Sequence, residues 1–250
     1  MSRKKIIILT SRFPYPLDKG DKLRIYHQIK NISSNHDLYL ISINTENTIS
    51  EIEVNELKPY CKKIYIFNIK FTTILFNLIK SFLSKEPLQV GYFYSKKHHK
   101  KISEIIQEIK PDWVFSQLIR TSKYVENEEN NIIDYMDAMS KGIERRIVNF
   151  PKFIQPLIRH ESNVTKKYEN YIYNKFKKHT IITKNDQQHI SHNDNENIHI
   201  IPNGVDTTYF KPNSKIEKKY DIVFIGNMNY PPNIEAAIYL CKHIQPLIEK

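Results

Sequence analysis

Short apolar runs alternate along this chain with longer segments in which apolar residues recur at helical spacing. The first run, residues 4–10, is continuous and rich in β-branched residues, which predicts a buried strand. A helix with one apolar face follows, formed by Ile25, Tyr26, Ile29 and Ile32. The next alternating run, residues 37–43, predicts a second strand. Strand, helix and strand in this order are typical of a βαβ unit.

The same alternation continues along most of the chain. Further strands are predicted at residues 62–69, 112–117, 131–137, 178–184, 197–201 and 220–226. Helices are predicted at residues 71–83, 102–109, 158–176 and 234–250, and residues 88–94 are predicted to form a loop. Helices that alternate with strands favour an α/β fold with a parallel sheet, and ligands bind such folds at the carboxyl ends of the strands.

The predicted helix at residues 71–83 permits two interpretations. Its apolar stripe is formed by Phe71, Ile74, Leu75, Leu78, Ile79, Phe82 and Leu83, and lysines 70, 80 and 85 surround it. Such a stripe usually faces the protein core. A basic amphipathic helix can also lie on an anionic membrane surface, so both interpretations stay open.

The composition allows a packed core and indicates a basic protein. Of the 250 residues, 40% are hydrophobic and 12% aromatic, which excludes a disordered chain. The formal net charge of +11 suits an anionic partner, such as a sugar nucleotide or a membrane face. The scarcity of glycine and the abundance of Lys, Ile and Asn would equally follow from an AT-rich genome. Charge alone therefore identifies no partner.

Two cysteines, Cys61 and Cys241, lie far apart and lack metal-ligand spacing, which is typical of a reduced, cytoplasmic protein. The apolar run after the basic N-terminus is too short for a signal peptide. No stretch approaches the roughly 18 apolar residues of a transmembrane helix. We therefore expect a cytoplasmic protein, with peripheral binding to the inner membrane face as an open alternative.

The loop after the first predicted strand carries the first candidate site residues. They are Asp18, Lys19, Gly20, Asp21 and Arg24. Gly20 could be a plain turn residue, or it could let backbone N–H groups at a helix start face a phosphate. The loop lacks the G-x-G-x-x-G pattern, so a dinucleotide fingerprint is absent.

A second candidate group follows the strand predicted at residues 131–137. Asp134, Asp137 and Ser140 stand near its carboxyl end, where a carboxylate could accept sugar hydroxyl groups or cap the next helix. We favour a site role for Asp137. The histidine pairs elsewhere in the chain have no third ligand at a suitable spacing, so no metal is implied.

The segment IPNGVDTTYFKP, residues 201–212, contains a strong turn signal at Asn203-Gly204, and Pro202 ends the preceding strand. Gly204 could adopt a positive φ there. This string resembles the segment that joins the two halves of family 4 glycosyltransferases of the GT-B fold. FPYPLDKGDKLRIYHQIKN, residues 13–31, resembles the first loop and helix of their bacterial polysaccharide sugar-transferase subgroup.

Two further strings are similar to the same subgroup. IIDYMDAMS, residues 132–140, resembles its D-x-x-D-x-x-S element, and FIGNMNYPPNIEAAIYL, residues 224–240, resembles the start of its donor-binding domain. The family often has a histidine near the element at residues 132–140, and an Arg and a Lys in the string that corresponds to residues 224–240. This chain lacks the histidine, the Arg and the Lys at these places, so other residues must neutralise a phosphate.

The resemblance implies transfer of a sugar from a nucleotide-sugar donor to a saccharide or lipid-linked acceptor in cell-envelope polysaccharide synthesis, with retention of configuration. It implies no metal and no cofactor beyond the nucleotide sugar. The loop residues Asp18, Lys19, Gly20, Asp21 and Arg24 would border the acceptor and the diphosphate. Asp137 would line the cleft as the catalytic-site carboxylate, and Asn203, Gly204, Gly226 and Asn227 would lie on the donor side.

The resemblance also implies a domain organisation. Residues 1–196 would form a Rossmann-like acceptor-side domain, 197–219 a linker, and 220–250 the first βα unit of an incomplete donor domain. Two complete doubly wound domains need roughly 300–400 residues. We therefore expect either a truncated reading frame or a separate polypeptide that supplies the rest, and little transferase activity from these residues alone.

Two other functions remain open. The basic N-terminal domain could be a non-catalytic module that binds an anionic membrane surface or polysaccharide, or the chain could be another GT-B enzyme such as a sugar-nucleotide epimerase. The strings at residues 13–31 and 201–212 match transferases better than epimerases. Basic residues are scattered and no recognition motif is present, so nucleic acid is not an expected partner.

Overall fold

The computed structural model describes residues 2–45, 48–125, 129–213, 215, 217, 219–228 and 231–248. The chain divides into two compact units, residues 1–203 and 204–250. The division falls between Asn203 and Gly204. Within the described residues, no helix has both the length and the hydrophobicity that crossing a bilayer requires.

The first unit is built on one parallel sheet of seven strands. They are β1 (Lys5–Thr10), β2 (Asp37–Asn44), β3 (Lys63–Asn68), β4 (Trp113–Gln117), β5 (Asn131–Asp134), β6 (Lys178–Ile181) and β7 (His199–Ile200). Their order is β3-β2-β1-β4-β5-β6-β7, which is the arrangement of a doubly wound, Rossmann-like sheet. The predicted parallel α/β fold is confirmed.

Helices cover both faces of this sheet. They are α1 (Gly20–Ile32), α2 (Glu51–Leu57), α3 (Phe71–Ser84), α4 (Leu88–Tyr92), α5 (Lys96–Ile109), α6 (Met139–Arg145), α7 (Gln155–Tyr173) and α8 (Lys184–His189). Residues 88–94 were expected to form a loop, but most of them form α4. No helix was expected at the position of α2, which begins with a capping box between Ser50 and Glu53.

The core consists of two clusters, one on each face, because successive strand residues point to opposite sides of a sheet. Ile7 and Leu9 of β1 belong to the cluster beneath α3, α4, α5 and α7. Ile8 belongs to the cluster beneath α1 and α2, which includes Ile29 and Leu57. The central strand β1 is therefore buried from both sides, as its unbroken apolar run predicts.

The strand β7 pairs with β6, through Thr180 with His199 and Ile181 with Ile200. It therefore belongs to the first sheet, and the first unit extends to Asn203 rather than ending near residue 196. Residues 199–201 complete the sheet edge because His199 and Ile200 pair with β6 and the Ile201 N–H donates to the Ile181 carbonyl oxygen, whereas residues 195–197 form a 3-10 turn rather than the start of the predicted strand.

The second unit contains the helices α9 (Pro231–Tyr239) and α10 (Gln245–Ile248), with a π-helical turn, Leu240–Ile244, between them. The helix predicted at residues 234–250 is confirmed as far as residue 248, and its last two residues lie outside the described range. The strand predicted at residues 220–226 is wrong, because these residues form no ladder with any described strand. A strand needs a neighbour to satisfy its backbone groups, so the predicted βα unit is not formed.

Close packing of α3 on α4 depends on Gly91. A Cβ atom at this position would lie 2.0 Å from Ser81 Oγ and 3.2 Å from the carbonyl oxygen of Asn77. We expect Gly91→Ala to lower the free energy of unfolding by about 1–3 kcal/mol through overpacking. Gly142, in α6, has open space around it, and Gly142→Ala should raise stability by about 0.5–1 kcal/mol. Chemical denaturation measures both, and equal effects would contradict the prediction.

Candidate functional site

The carboxyl ends of β1, β4, β5 and β6 meet at one edge of the sheet. Successive connections run outward from β1 toward β3 and, on the other side, from β4 toward β7. The direction of winding therefore changes between β1 and β4. In open α/β folds, this switch point is where a crevice forms and ligands bind.

A buried ion pair joins α1 to the end of β5 beside this switch point. Arg24 Nε donates to Asp134 Oδ2 at 2.9 Å, and the two side chains are 4% and 0% exposed. Thr180 Oγ1 donates to Asp134 Oδ1 at 3.0 Å, so both carboxylate oxygens are bonded. Arg24 Nη1 donates to Asn203 Oδ1 at 3.0 Å. Arg24 thus connects three segments that are distant in sequence.

Two further arginines converge on Asp21, in the first turn of α1. Arg12 Nη1 donates to Asp21 Oδ2 at 2.8 Å, and Arg120 Nη1 lies 3.9 Å from the same oxygen. Both guanidinium groups also lie over the ring of Phe93, at 6.0 and 5.1 Å from its centroid. One carboxylate thus faces two guanidinium groups. Planar guanidinium groups suit phosphate oxygens, so this cluster could hold an anionic group.

The backbone is strained directly after two of these strands. Leu118 follows β4 with φ 63° and ψ 156°, and Met136 follows β5 with φ 62°. A branched residue such as leucine is rarely found in the first conformation, which glycine adopts almost alone. The Leu118 N–H donates to the carbonyl oxygen of Asp134 at 2.8 Å. Strain of this kind is concentrated at functional sites, and here it lies on both strands beside the crevice.

Asp137 lies in the loop after β5. Burial raises the pKa of its carboxyl group, and Asp186 raises it further, whereas Arg120 and Arg146 oppose the shift. The Asp137 side chain is itself exposed to solvent, so water screens these interactions. The role predicted for Asp137 stays a prediction.

A second carboxylate, Glu169 of α7, is fully buried behind this loop. Its Oε1 accepts the Ser140 N–H at 3.0 Å, and its Oε2 accepts the Ser140 hydroxyl at 2.6 Å. Burial raises the pKa of Glu169 to about 7, against the opposing effect of the two bonds from Ser140. Glu169 therefore anchors the start of α6, and it changes charge near neutral pH.

The predicted loop residues lie at the same edge. Gly20 is the first residue of α1, and Lys19 precedes it with an extended backbone. A lysine side chain offers no acceptor to the first-turn N–H groups. Asp18 pairs with the buried amine of Lys22 at 3.1 Å. The structure thus brings Asp18, Gly20, Asp21 and Arg24 together on one loop and helix start.

The remaining predicted residues belong to the second unit. No glycine has a positive φ, so the expectation for Gly204 is wrong, and its surroundings are open. Near Gly226, Asn233 Nδ2 donates to the Asn227 carbonyl oxygen at 3.1 Å. A Cβ atom on Gly226 would approach Asn233 to 3.0 Å, so glycine permits this close approach of Asn233.

The sequence motifs did not point to Arg12, Arg120, Gln117 or Glu169 as site residues. Arg12, Gln117 and Arg120 stand at or just after the ends of β1 and β4, so the carboxyl-edge rule could have found them. Gln117 Nε2 donates to the carbonyl oxygen of Asp21 at 2.8 Å. Glu169 gave no comparable signal, because a polar residue within an amphipathic helix is usually solvated.

Within the described part of the chain, no three His, Cys, Asp or Glu side chains come together as metal ligands would. His192, which lies three residues after His189 and forms a pair with it in the sequence, stacks on Tyr173, with ring centroids 3.8 Å apart. Tyr173 also stacks on His179 at 4.1 Å. His179, which is buried in β6, and His192 therefore take part in aromatic packing around Tyr173 at the end of α7.

Comparison with known proteins gives a distant similarity. The chain is 26% identical over 263 aligned positions to an uncharacterised 44.6 kDa protein in the cps region of Klebsiella pneumoniae. The alignment covers 98% of this chain and 62% of that protein, so the chain spans less than two thirds of its relative's length. No family model matches the chain.

Proposed function

We propose that the chain is the acceptor-side part of a glycosyltransferase of the GT-B type, similar to family 4. It would transfer a sugar from a nucleotide-sugar donor to a saccharide or lipid-linked acceptor in envelope polysaccharide synthesis, with retention of configuration. The relative's place in a cps region, a region concerned with capsular polysaccharide, supports a polysaccharide-related role.

The observation that carries this proposal is the hydrogen bond between Arg24 and Asn203. Arg24 belongs to the string at residues 13–31 and Asn203 to the string at residues 201–212, which resemble the same transferases independently. The two residues are 179 positions apart, yet Arg24 Nη1 and Asn203 Oδ1 are separated by 3.0 Å. Contact between two such segments at the carboxyl edge is what a shared ligand site requires.

The string at residues 224–240 contains no Arg or Lys, and Arg12 and Arg120 are the residues that we propose as the source of positive charge for a phosphate. Transfer of a sugar from a nucleotide depends on stabilising the departing diphosphate and excluding water. The two guanidinium groups already converge on the Asp21 carboxylate, and we propose that they also contact a diphosphate. Asp137, beside them, would accept hydrogen bonds from sugar hydroxyl groups. No metal is required for this role.

The proposal can be tested by isothermal titration calorimetry of the purified chain with uridine- and guanosine-diphosphate sugars. We expect at least one of these to bind. Arg120→Gln should then weaken its affinity at least about tenfold, because hydrogen bonds to charged groups are strong. Lys141→Gln is the matched control, since Lys141 pairs with the exposed Glu144 and lies outside the arginine cluster.

Two outcomes would contradict the proposal. If no sugar nucleotide binds and an acidic polysaccharide binds in a salt-sensitive manner, the chain is a basic binding module. If a sugar nucleotide binds equally to the Arg120→Gln variant, the arginine cluster is not the diphosphate site. Circular dichroism of each variant separates loss of binding from loss of fold.

A further inference from the structure

The helix α3 packs on the first unit with its polar side. Asn77 Nδ2 donates to the carbonyl oxygen of Tyr94 at 2.6 Å, and Ser81 is 2% exposed against Gly91 of α4. Ile74 and Leu78 complete the packed side. An apolar stripe of this kind usually faces the core, and the structure corrects this expectation, because only Ile74 and Leu78 of its seven residues pack inward.

The other residues of that stripe, together with Phe76, form an exposed surface that we call the α3 face. Its members and exposed fractions are Phe71 (75%), Leu75 (52%), Phe76 (68%), Ile79 (57%), Phe82 (50%) and Leu83 (75%). At the angular spacing of an α-helix, these six positions span an arc of about 140°. A contiguous apolar surface of this kind rarely stays in water on a monomeric protein and marks an interaction site.

The α3 face continues toward the start of α7. Phe82 contacts His160, with ring centroids 6.2 Å apart, and α4 is tied to α7 by the bond from the Leu88 N–H to Glu161 Oε1. Leu157, one turn before His160, is 47% exposed. Two elements that are far apart in sequence thus present apolar side chains on neighbouring parts of one surface.

The charges around the α3 face are positive. The helix α3 has no acidic residue. Lys80 lies within the helix, Lys70 directly precedes it and Lys85 directly follows it, and all three lysines are exposed. Two acidic side chains on neighbouring segments are engaged elsewhere, since Glu86 pairs with Lys123 at 2.9 Å and Glu161 accepts the Leu88 N–H. Exposed apolar residues within a cationic border match the interface of an anionic bilayer, in both the apolar and the charged component.

We propose that the α3 face binds the surface of an anionic phospholipid bilayer, with the helix lying in the plane of the interface. Phe71, Phe76 and Phe82 would enter the boundary between head groups and acyl chains, while the lysines contact phosphate groups. A second copy of the chain is the weaker occupant, because self-association would bring the lysine borders of two α3 faces together. The proposal does not depend on the transferase function.

Co-sedimentation of the full chain with phospholipid vesicles tests this proposal. We expect binding to phosphatidylcholine–phosphatidylglycerol vesicles and weaker binding to phosphatidylcholine alone. The double variant Phe71→Ser and Phe76→Ser should reduce partitioning at least about tenfold, because two large apolar side chains no longer enter the interface. Ile52→Ser is the matched control, since Ile52 is 73% exposed on α2, which covers the opposite face of the sheet.

Absence of binding to anionic vesicles, or equal binding by the serine variant, would overturn the proposal. Size-exclusion chromatography with light scattering adds a third outcome: a wild-type dimer that the serine variant abolishes would assign the α3 face to self-association. If the serine variant does not fold, the variant Lys80→Glu replaces it in the vesicle experiment, because Lys80 is exposed and its substitution leaves the packing of α3 unchanged. That variant should weaken binding to anionic vesicles but not to neutral ones, and an unchanged affinity would count against the proposal.

Discussion

Replacing Arg24 by methionine is expected to destabilise the first unit by about 3–5 kcal/mol, because Asp134 would remain buried without its charged partner. Asp134 is fully buried, and among the described residues Arg24 Nε is its one cationic contact. A loss of this size is comparable to the whole stability of many domains. Urea denaturation followed by circular dichroism measures it, and a change below about 1 kcal/mol would contradict the expectation.

The double variant Arg24→Met with Asp134→Asn separates the energy of the Arg24–Asp134 ion pair from the cost of leaving a buried charge without a partner. We expect it to be less destabilised than the sum of its single variants, since neutral groups then occupy both positions. Lys141→Met provides the surface control. Its partner Glu144 is exposed, so the change should stay within about 0.5 kcal/mol. An additive Arg24–Asp134 cycle would mean that the pair has no energetic coupling.

The sequence predicted the sheet because each strand carries its own local evidence. The unbroken run of β1 and the alternation in β2 each require burial, whichever partners the strands later find. The carboxyl-edge rule also pointed to Asp21 and Arg24, which the structure places at the start of α1, and their role in a site stays a prediction. It could not identify Asp134 as the partner of Arg24, because a bond across 110 positions depends on strand order. Periodicity contains no information about that order.

The orientation of α3 shows a second limit of the same evidence. Periodicity shows that a helix has an apolar side, but the neighbouring elements decide which side they contact. Here Gly91 allows a close approach that small polar Ser81 can occupy, and Asn77 finds an acceptor on Tyr94. These local contacts orient the apolar side outward. The strand predicted at residues 220–226 failed for a related reason, since an apolar run needs a partner strand before it can form a ladder.

The motif at residues 132–140 pointed to the carboxylate of Asp137 after β5, but it gave no sign of the buried Glu169 behind the same loop. Ser140 was considered as a site residue, whereas the structure bonds it to Glu169 through both its N–H and its hydroxyl group. The same bonds place the loop that carries Asp137 over a buried ionisable group. Ionisable groups with shifted pKa values are concentrated at functional sites, which makes this loop a useful target for measurement.

Glu169→Gln is expected to make stability less dependent on pH between about 4.5 and 7. The folded protein raises the pKa of Glu169 from 4.5 to about 7, so in this range it holds a proton that the unfolded chain has released. Wild-type stability therefore falls as the pH rises through this window and levels off above it. A pKa shift of this size corresponds to about 3 kcal/mol in the free energy of unfolding. For a buried group such as Glu169, this figure is an upper value.

The glutamine variant should match the wild type near pH 4 and exceed its stability near pH 8, because an uncharged amide carries no desolvation cost of ionisation. Denaturation curves at both pH values give this difference directly. Glu104→Gln, the same chemical change on the exposed side of α5, is the control and should show no such difference. If the Glu169→Gln variant and the wild type differ equally at both pH values, Glu169 is not the group that titrates. If they diverge as expected, the wild type retains a carboxylate that weakens its fold at neutral pH. Retention of such a group beside Asp137 would then favour a role for its charge in the site.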